Sequence, residues 1–274
     1  MSIIDQSNCA NCPVHNVSNL KKLGINMTDF DFVVALAGNP NTGKSTVFNN
    51  LTGLKQHTGN WPGKTVSRAE GGFEYNEFKF KLVDLPGTYS LLSTSTDEGV
   101  ARDFILFGQP DVTVIVVDAT RLERNLNLVL QVLEITDRAV LCLNLIDEAE
   151  RHKIKIDERQ LSKDLGIPVV PTAARQKQGM DALIKAINDV ATGNYVCKPY
   201  RIKSKSKELN FAISELSKKV LEEFPELPNA RWVALRLLEG DPTIIDAVRT
   251  GELGTIKEIK SGIDEQARKE EVLL

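Results

Sequence analysis

Phe32-Val-Val-Ala-Leu-Ala-Gly38-Asn-Pro-Asn41-Thr-Gly43-Lys44-Ser45 is the stretch on which the fold turns. Its first six residues are all apolar, the pattern of a strand buried on both faces of a parallel sheet. Residues 38–45 fit G-x-x-x-x-G-K-[ST] and run into a helix-like segment at residues 46–51. Strand, glycine-rich loop and helix in that order make a phosphate cradle. Glycines let backbone amides turn inward, the helix start adds partial positive charge, Lys44 reaches the outer phosphates and Ser45 offers a hydroxyl to Mg²⁺. The loop alone does not choose between adenine and guanine nucleotides.

Further along the chain, Phe73 and Tyr75, then Phe78, Phe80 and Leu82, alternate with polar residues about Asn76-Glu77, which predicts an antiparallel hairpin over residues 72–84. Apolar runs at 112–117, 139–146 and 168–171 are separated by helix-periodic segments near 121–136, 157–165 and 179–192. That alternation predicts an α/β fold with a mostly parallel sheet, one antiparallel hairpin and helices on both faces. Residues 1–31 are polar and irregular, so the ordered fold is expected to begin at Phe32. After Gly193 no further strand-like run occurs, and residues 200–207 read as a basic extended linker. Leu209, Ile213, Leu216, Val220 and Phe224 keep helical spacing; Pro225 and Pro228 interrupt it, and Trp232, Leu235 and Leu238 resume it. Asp241-Pro242 starts a further helix. The expected organisation is an N-terminal extension (1–31), a nucleotide-binding domain (32–195) and a small all-α domain (196–274).

The 274 residues are 42% hydrophobic and 26% charged, an ordinary globular composition. A net charge of -3 supplies no bulk attraction to nucleic acid or acidic lipid. Four cysteines are too few for a disulfide scaffold, which points to a reducing cytosol. The N-terminus has no basic segment followed by an apolar core, and the longest apolar runs fall far short of the roughly 20 residues that span a bilayer.

Two more motifs narrow the chemistry. Asp84-Leu-Pro-Gly87 closes the hairpin's second strand, where a carboxylate holds Mg²⁺ through water and the Gly87 amide meets a γ-phosphate. Asn144-Leu-Ile-Asp147 follows a later strand. A buried carboxylate at Asp147 accepts both the ring N–H and the exocyclic amine of guanine, a pair of donors that adenine lacks. In Thr172-Ala-Ala-Arg175, Ala173 and the Ala174 amide are expected beside the guanine carbonyl, although a plain strand-to-helix loop also explains them.

The order of these elements resembles the translation-factor-related G proteins. Leu145 stands where that superfamily carries Lys, which predicts weaker nucleotide retention. Closer still, the loop at 38–45, Gly59-Asn-Trp61-Pro-Gly63-Lys-Thr65-Val66 and Asp84-Leu-Pro-Gly-Thr-Tyr-Ser-Leu91 resemble the cytosolic G-protein region of the FeoB ferrous-iron transporter family, over residues 32–194. The resemblance implies GTP and GDP as ligands, with Gly38, Asn41, Thr42, Gly43, Lys44, Ser45, Thr46, Gly63 and Thr65 among the contacts. It implies Mg²⁺ held by Ser45, Thr65 and Asp84, and catalysis through Lys44, Asn41, Thr65 and Gly87. Thr88 occupies the place of the glutamine that orients water in Ras-like enzymes, so hydrolysis is expected to be slow. By the same resemblance K⁺ offsets the loss, held by Asn41 and the carbonyls of Gly59 and Trp61; a plain turn role for Asn41 is the bland alternative. The neighbours of Thr65 read as a mobile glycine-rich loop, and Trp61 within it as poorly placed for a core. The chain stops at Leu274 with no hydrophobic span, so the expectation is a cytosolic fragment of a longer polypeptide, at the cytoplasmic face of the bacterial inner membrane. Its expected partner is a C-terminal membrane-spanning iron-transport domain, with homo-oligomerisation left open. A soluble ribosome-assembly or tRNA-modification GTPase is the alternative, disfavoured by the many acidic residues of the helical segment, and a non-hydrolysing nucleotide sensor is a third class.

Cys9-Ala-Asn-Cys12-Pro-Val-His15 places two thiols and an imidazole at metal-ligand spacing without a fourth ligand nearby. Part of an Fe²⁺ or Zn²⁺ site, a reversible disulfide and a plain tail all fit. Cys142 reads as core, His57 and His152 as exposed loop residues, and Lys203, Lys205 and Lys207 as a solvated linker or an anionic-lipid contact.

Overall fold

The computed structural model describes residues 20–249 apart from 22, 55, 63, 93, 94, 202–205, 226 and 228. Cys9, Cys12, His15, Gly63, Lys203 and Lys205 therefore lie outside the described residues. Seven strands form one sheet in the order β2-β3-β4-β1-β5-β6-β7. They are β1 (Phe32–Gly38), β2 (Gln56–Asn60), β3 (Ser67–Tyr75), β4 (Phe78–Asp84), β5 (Val112–Asp118), β6 (Ala139–Asn144) and β7 (Val169–Pro171). β1 pairs in parallel with β4 and β5, and β5, β6 and β7 continue in parallel. The hairpin forms as expected: Tyr75 faces Phe78 across the turn, and Asn76 takes the φ of 54° that a tight turn asks of it. β2 adds a second antiparallel pair at the sheet edge, with Gly59 opposite Arg68. Residues 56–60 are thus a strand, and His57 lies on it rather than in a loop.

Helices cover both faces. α1 (Lys44–Thr52) and α6 (Met180–Ala191) pack on the face to which Val34 and Leu36 of β1 point. α2 (Thr96–Phe107), α3 (Leu122–Ile135) and α4 (Ile146–Arg151) pack on the face of Val33, Ala35 and Ala37, near α5 (Glu158–Leu165). This alternation of β1 residues between two cores is the pleat at work. The core does not start at Phe32: Leu20 and Ile25 are buried in the same cluster as Val33. The apolar stripes of residues 20–31 are short and interrupted by polar residues, so neither helix nor strand periodicity announces them.

The C-terminal helices α7 (Lys207–Glu223), α8 (Ala230–Leu238) and α9 (Pro242–Arg249) follow the predicted spacing. Asp241 accepts from the amides of Thr243 and Ile244, as a helix-start residue should. They dock on the end of α3: Asn229 Nδ2 donates to the carbonyls of Glu134 (2.6 Å) and Ile135 (3.0 Å), and Arg231 pairs with Glu134 at 3.2 Å. Those carbonyls belong to the last turn of a helix, which has no internal partner for them. No described helix is long and apolar enough to cross a membrane.

Candidate nucleotide site

Parallel strands β1, β5, β6 and β7 all end toward one rim, so their loops converge at a switch point of the sheet. The loop after β1 begins α1 at Gly43, which has φ 81° and no side-chain cap. Helix-start amides left uncapped are the donors an anion takes. Gly43 is required twice over, because a Cβ there would run into Asn144 Nδ2 as well as strain the backbone. Thr42 is buried, its hydroxyl bonded to the Asn39 carbonyl at 2.9 Å; Asn41, Ser45 and Thr46 are exposed. Asn41 takes φ 66°.

Lys44 Nζ pairs with Asp84 and donates to the Leu85 carbonyl at 2.7 Å. Burial pushes the Asp84 carboxyl up, and the Lys44 ammonium beside it pulls back part of that rise. Lys44, Thr65, Asp84 and Gly87 line one cleft of about 560 Å³, together with Thr58, Arg68 and Asp97. The structure thus gathers four residues that lie up to 43 positions apart in sequence. Ser45 and Thr65 hydroxyls and the Asp84 carboxylate are all oxygen donors, the set that Mg²⁺ prefers. Thr88, beyond Gly87, is buried and its amide donates to the Gly38 carbonyl at 3.2 Å.

Nearby in the fold, at the ends of β1, β6 and β7, Asn144 is buried and ties three loops together. Its Nδ2 donates to the Thr42 carbonyl at 2.9 Å, and its Oδ1 accepts from Thr172 Oγ1 (3.1 Å) and from the Ala174 amide (3.0 Å). The Ala174 amide, expected to face a guanine carbonyl, is engaged by Asn144 instead. Ala173 is buried and its amide donates to the Gln178 carbonyl at 3.1 Å. Asn50 of α1 reaches the Ala174 carbonyl at 2.6 Å, a link that no local sequence pattern announces. Asp147 is half-buried rather than buried; its Oδ2 accepts from Arg151 (2.9 Å) and Gln176 (3.0 Å). Leu145 takes φ 62° at the start of α4, a strained state for a side chain of its size.

The K⁺ set is not assembled. Gly59 lies in β2, which β3 and β4 separate from β1 by three strand spacings, roughly 14 Å. The Trp61 carbonyl accepts from the Lys64 amide at 3.0 Å. Trp61 itself is in the core: it is 3% exposed and meets Phe104 edge-on at 5.4 Å. The expectation that Trp61 is poorly placed for a core fails: it stays in a loop, but its ring is buried in the cluster that also holds Leu20 and Ile25, which periodicity does not announce. Cys142 is core as expected, 3.2 Å from Thr172 Oγ1, with burial raising its thiol to about 12. Among the described residues no group of three or more His, Cys, Asp and Glu side chains could hold a metal ion.

Residues 32–187 match the family described as ferrous iron transport protein B, and residues 206–272 match the FeoB cytosolic helical domain. Among curated relatives, the Fe(2+) transporter FeoB of Salmonella typhimurium is 43% identical over 212 residues, 76% of this chain and 27% of the relative. That of Escherichia coli K12 is 42% identical over the same length. The chain spans about a quarter of the length of these relatives. The GDP form I structure of the T. maritima FeoB cytosolic domain superposes with TM-score 0.73 at 37% identity, over 85% of this chain and 89% of that one. The FeoB G domain of Methanococcus jannaschii is 48% identical, with TM-score 0.53, over 60% of this chain and 99% of that one. With both its sheet domain and its helices so matched, the chain belongs to the FeoB family of ferrous iron transport proteins.

Proposed function

We propose that the chain binds guanine nucleotides, hydrolyses GTP slowly, and serves at the cytoplasmic face of a membrane as the switch of a ferrous-iron transporter. The observation that carries this reading is the single cleft shared by Lys44, Thr65, Asp84 and Gly87, flanked by the Asn144 tie. The Lys44–Asp84 pair is the resting state of that cleft. A polyphosphate offers Lys44 a better partner, since a charge-assisted bond to phosphate replaces one to a carboxylate, and Asp84 is thereby released. Asp84, Ser45 and Thr65 then present their oxygens to Mg²⁺, which when bound neutralises charge on the outer phosphates. The Gly87 amide meets the γ-phosphate, and Asp147 Oδ1 and Oδ2 face the guanine donors once Arg151 and Gln176 yield. With Thr88 buried no side chain of this segment orients water, which makes unassisted turnover slow. K⁺ stimulation is part of the proposal: Asn41 stands at the surface of the phosphate loop, and the Gly59 and Trp61 carbonyls join it only if β2 leaves β3.

Calorimetric titration with GDP and ADP tests the core of this reading. Wild type takes GDP in preference to ADP, and Asp147→Asn loses ~2 kcal/mol of GDP binding through an unpaired polar group. Equal affinity for the two nucleotides would remove the guanine assignment. Turnover in KCl against NaCl at constant ionic strength tests the cation, with Asn41→Ala expected to abolish the difference while still binding GDP.

A further inference from the structure

Resting on the nucleotide reading above, we propose that residues 23–31, with Leu20, form a strap that fixes the Thr65 loop, and that Arg68 is the positioning residue through which the strap acts. Residues 61–66 are closed into a loop by the Trp61 amide, which donates to the Val66 carbonyl at 2.9 Å, and Thr65 sits within it. Both flanks of that loop rest on the strap. On one side, Trp61 is buried in the cluster that also holds Leu20 and Ile25. A Cβ on Gly24, which has φ +79°, would come within 3.0 Å of Pro62 Cγ and 2.9 Å of Arg68 Nη1. Strap and loop are therefore in van der Waals contact at that point.

On the other side, the Arg68 guanidinium is a four-way joint. Nη1 donates to the Leu23 carbonyl at 2.9 Å and Nη2 to the Gly24 carbonyl at 3.1 Å. Nε lies 2.7 Å from Glu70 Oε1, and the guanidinium carbon lies 5.3 Å from the Trp61 ring centroid. Glu70 is held a second time by Lys81 Nζ at 2.6 Å, and Lys81 lies 5.1 Å from the Phe30 ring of the strap. A planar guanidinium can donate to two carbonyls while its charge faces a carboxylate and a ring face; an ammonium of the same charge cannot. Arg68 also lines the cleft of Lys44, Thr65 and Asp84, so a shift of the fork moves a wall of the site.

A loosened strap should penalise the triphosphate, whose γ-phosphate meets Thr65, and spare the diphosphate, which the phosphate loop and the base contacts hold. Arg68→Lys keeps the charge facing Glu70 and gives up the fork. It should lower affinity for a non-hydrolysable GTP analogue about tenfold more than it lowers affinity for GDP. A second readout is independent of nucleotide. With Trp232→Phe, Trp61 is the sole indole, and its quenching by acrylamide reports the strap directly. Both Arg68→Lys and Gly24→Val in that background should raise quenching several-fold before any loss of the far-ultraviolet helix signal. Unchanged quenching in both variants would overturn the strap. An equal drop in GTP-analogue and GDP affinity, in step with a lower melting temperature, would overturn the positioning role of Arg68. Failure of wild type to bind either nucleotide would instead sink the functional reading, and the quenching arm would still judge the strap.

Discussion

The loops after β1, β6 and β7 meet at one buried side chain, Asn144, while residues 56–66 join the fold through an edge strand and the strap. In the first region Asn144 matches the Thr42 carbonyl, the Thr172 hydroxyl and the Ala174 amide across long sequence separations. The second has a carbonyl-bound arginine, a buried indole and an exposed Thr65. Satisfied buried networks are rigid and costly to break, whereas an edge strand with exposed residues opens at little cost. One region is therefore rigid, and the other opens at less cost.

Three measurements press on that contrast. The largest effect belongs to Lys44→Ala, which removes the cation shared by Asp84 and the expected phosphates; GDP affinity should fall by ~3 kcal/mol, over a hundredfold, in calorimetry. Unaltered affinity would mean that the loop is not a phosphate site. Next, Asn144→Ala orphans the Ala174 amide and the Thr42 carbonyl together, and should cost ~2 kcal/mol of stability in urea unfolding. Thr65→Ala, on the exposed side, should cost well under ~0.5 kcal/mol in the same assay. Comparable losses would abolish the distinction between the regions.

A separate effect is in pH dependence. Cys142 lies one strand residue pair below Asn144, and its thiol is raised from 9.0 to about 12 by burial. Between those values the unfolded chain loses this proton while the folded chain keeps it. The contribution is fully present below pH 9 and is lost as pH climbs toward 12, at about 1.4 kcal/mol per pH unit. At pH 10 the wild type should therefore have lost about 1.4 kcal/mol more than Cys142→Ala relative to pH 8. Parallel curves for the two proteins would show that the thiol is not sequestered.

Some of this was legible in advance. The Phe32–Gly38 strand, the hairpin turning at Asn76 and the helix pair split by Pro225 follow from periodicity and turn chemistry, which are local. So were Lys44 and Asp84, whose motifs carry their own spacing. α2 went unnoticed although Ser95-Thr-Asp-Glu98 is a capping signature, and Ser95 Oγ does accept from the Glu98 amide at 3.2 Å. β2 has no alternating pattern to find. It is a strand because β3 offers it an edge.

Local pattern was enough for the order of strands and helices and for the phosphate loop, since hydrophobic period, glycine placement and capping act over a few residues. It took the packed chain to turn Asn144 inward to three loops, to make Trp61 core and to extend that core to Leu20 and Ile25. Those outcomes depend on which surfaces meet across the sheet, and burial and hydrogen bonding between residues scores of positions apart leave no mark on a local pattern.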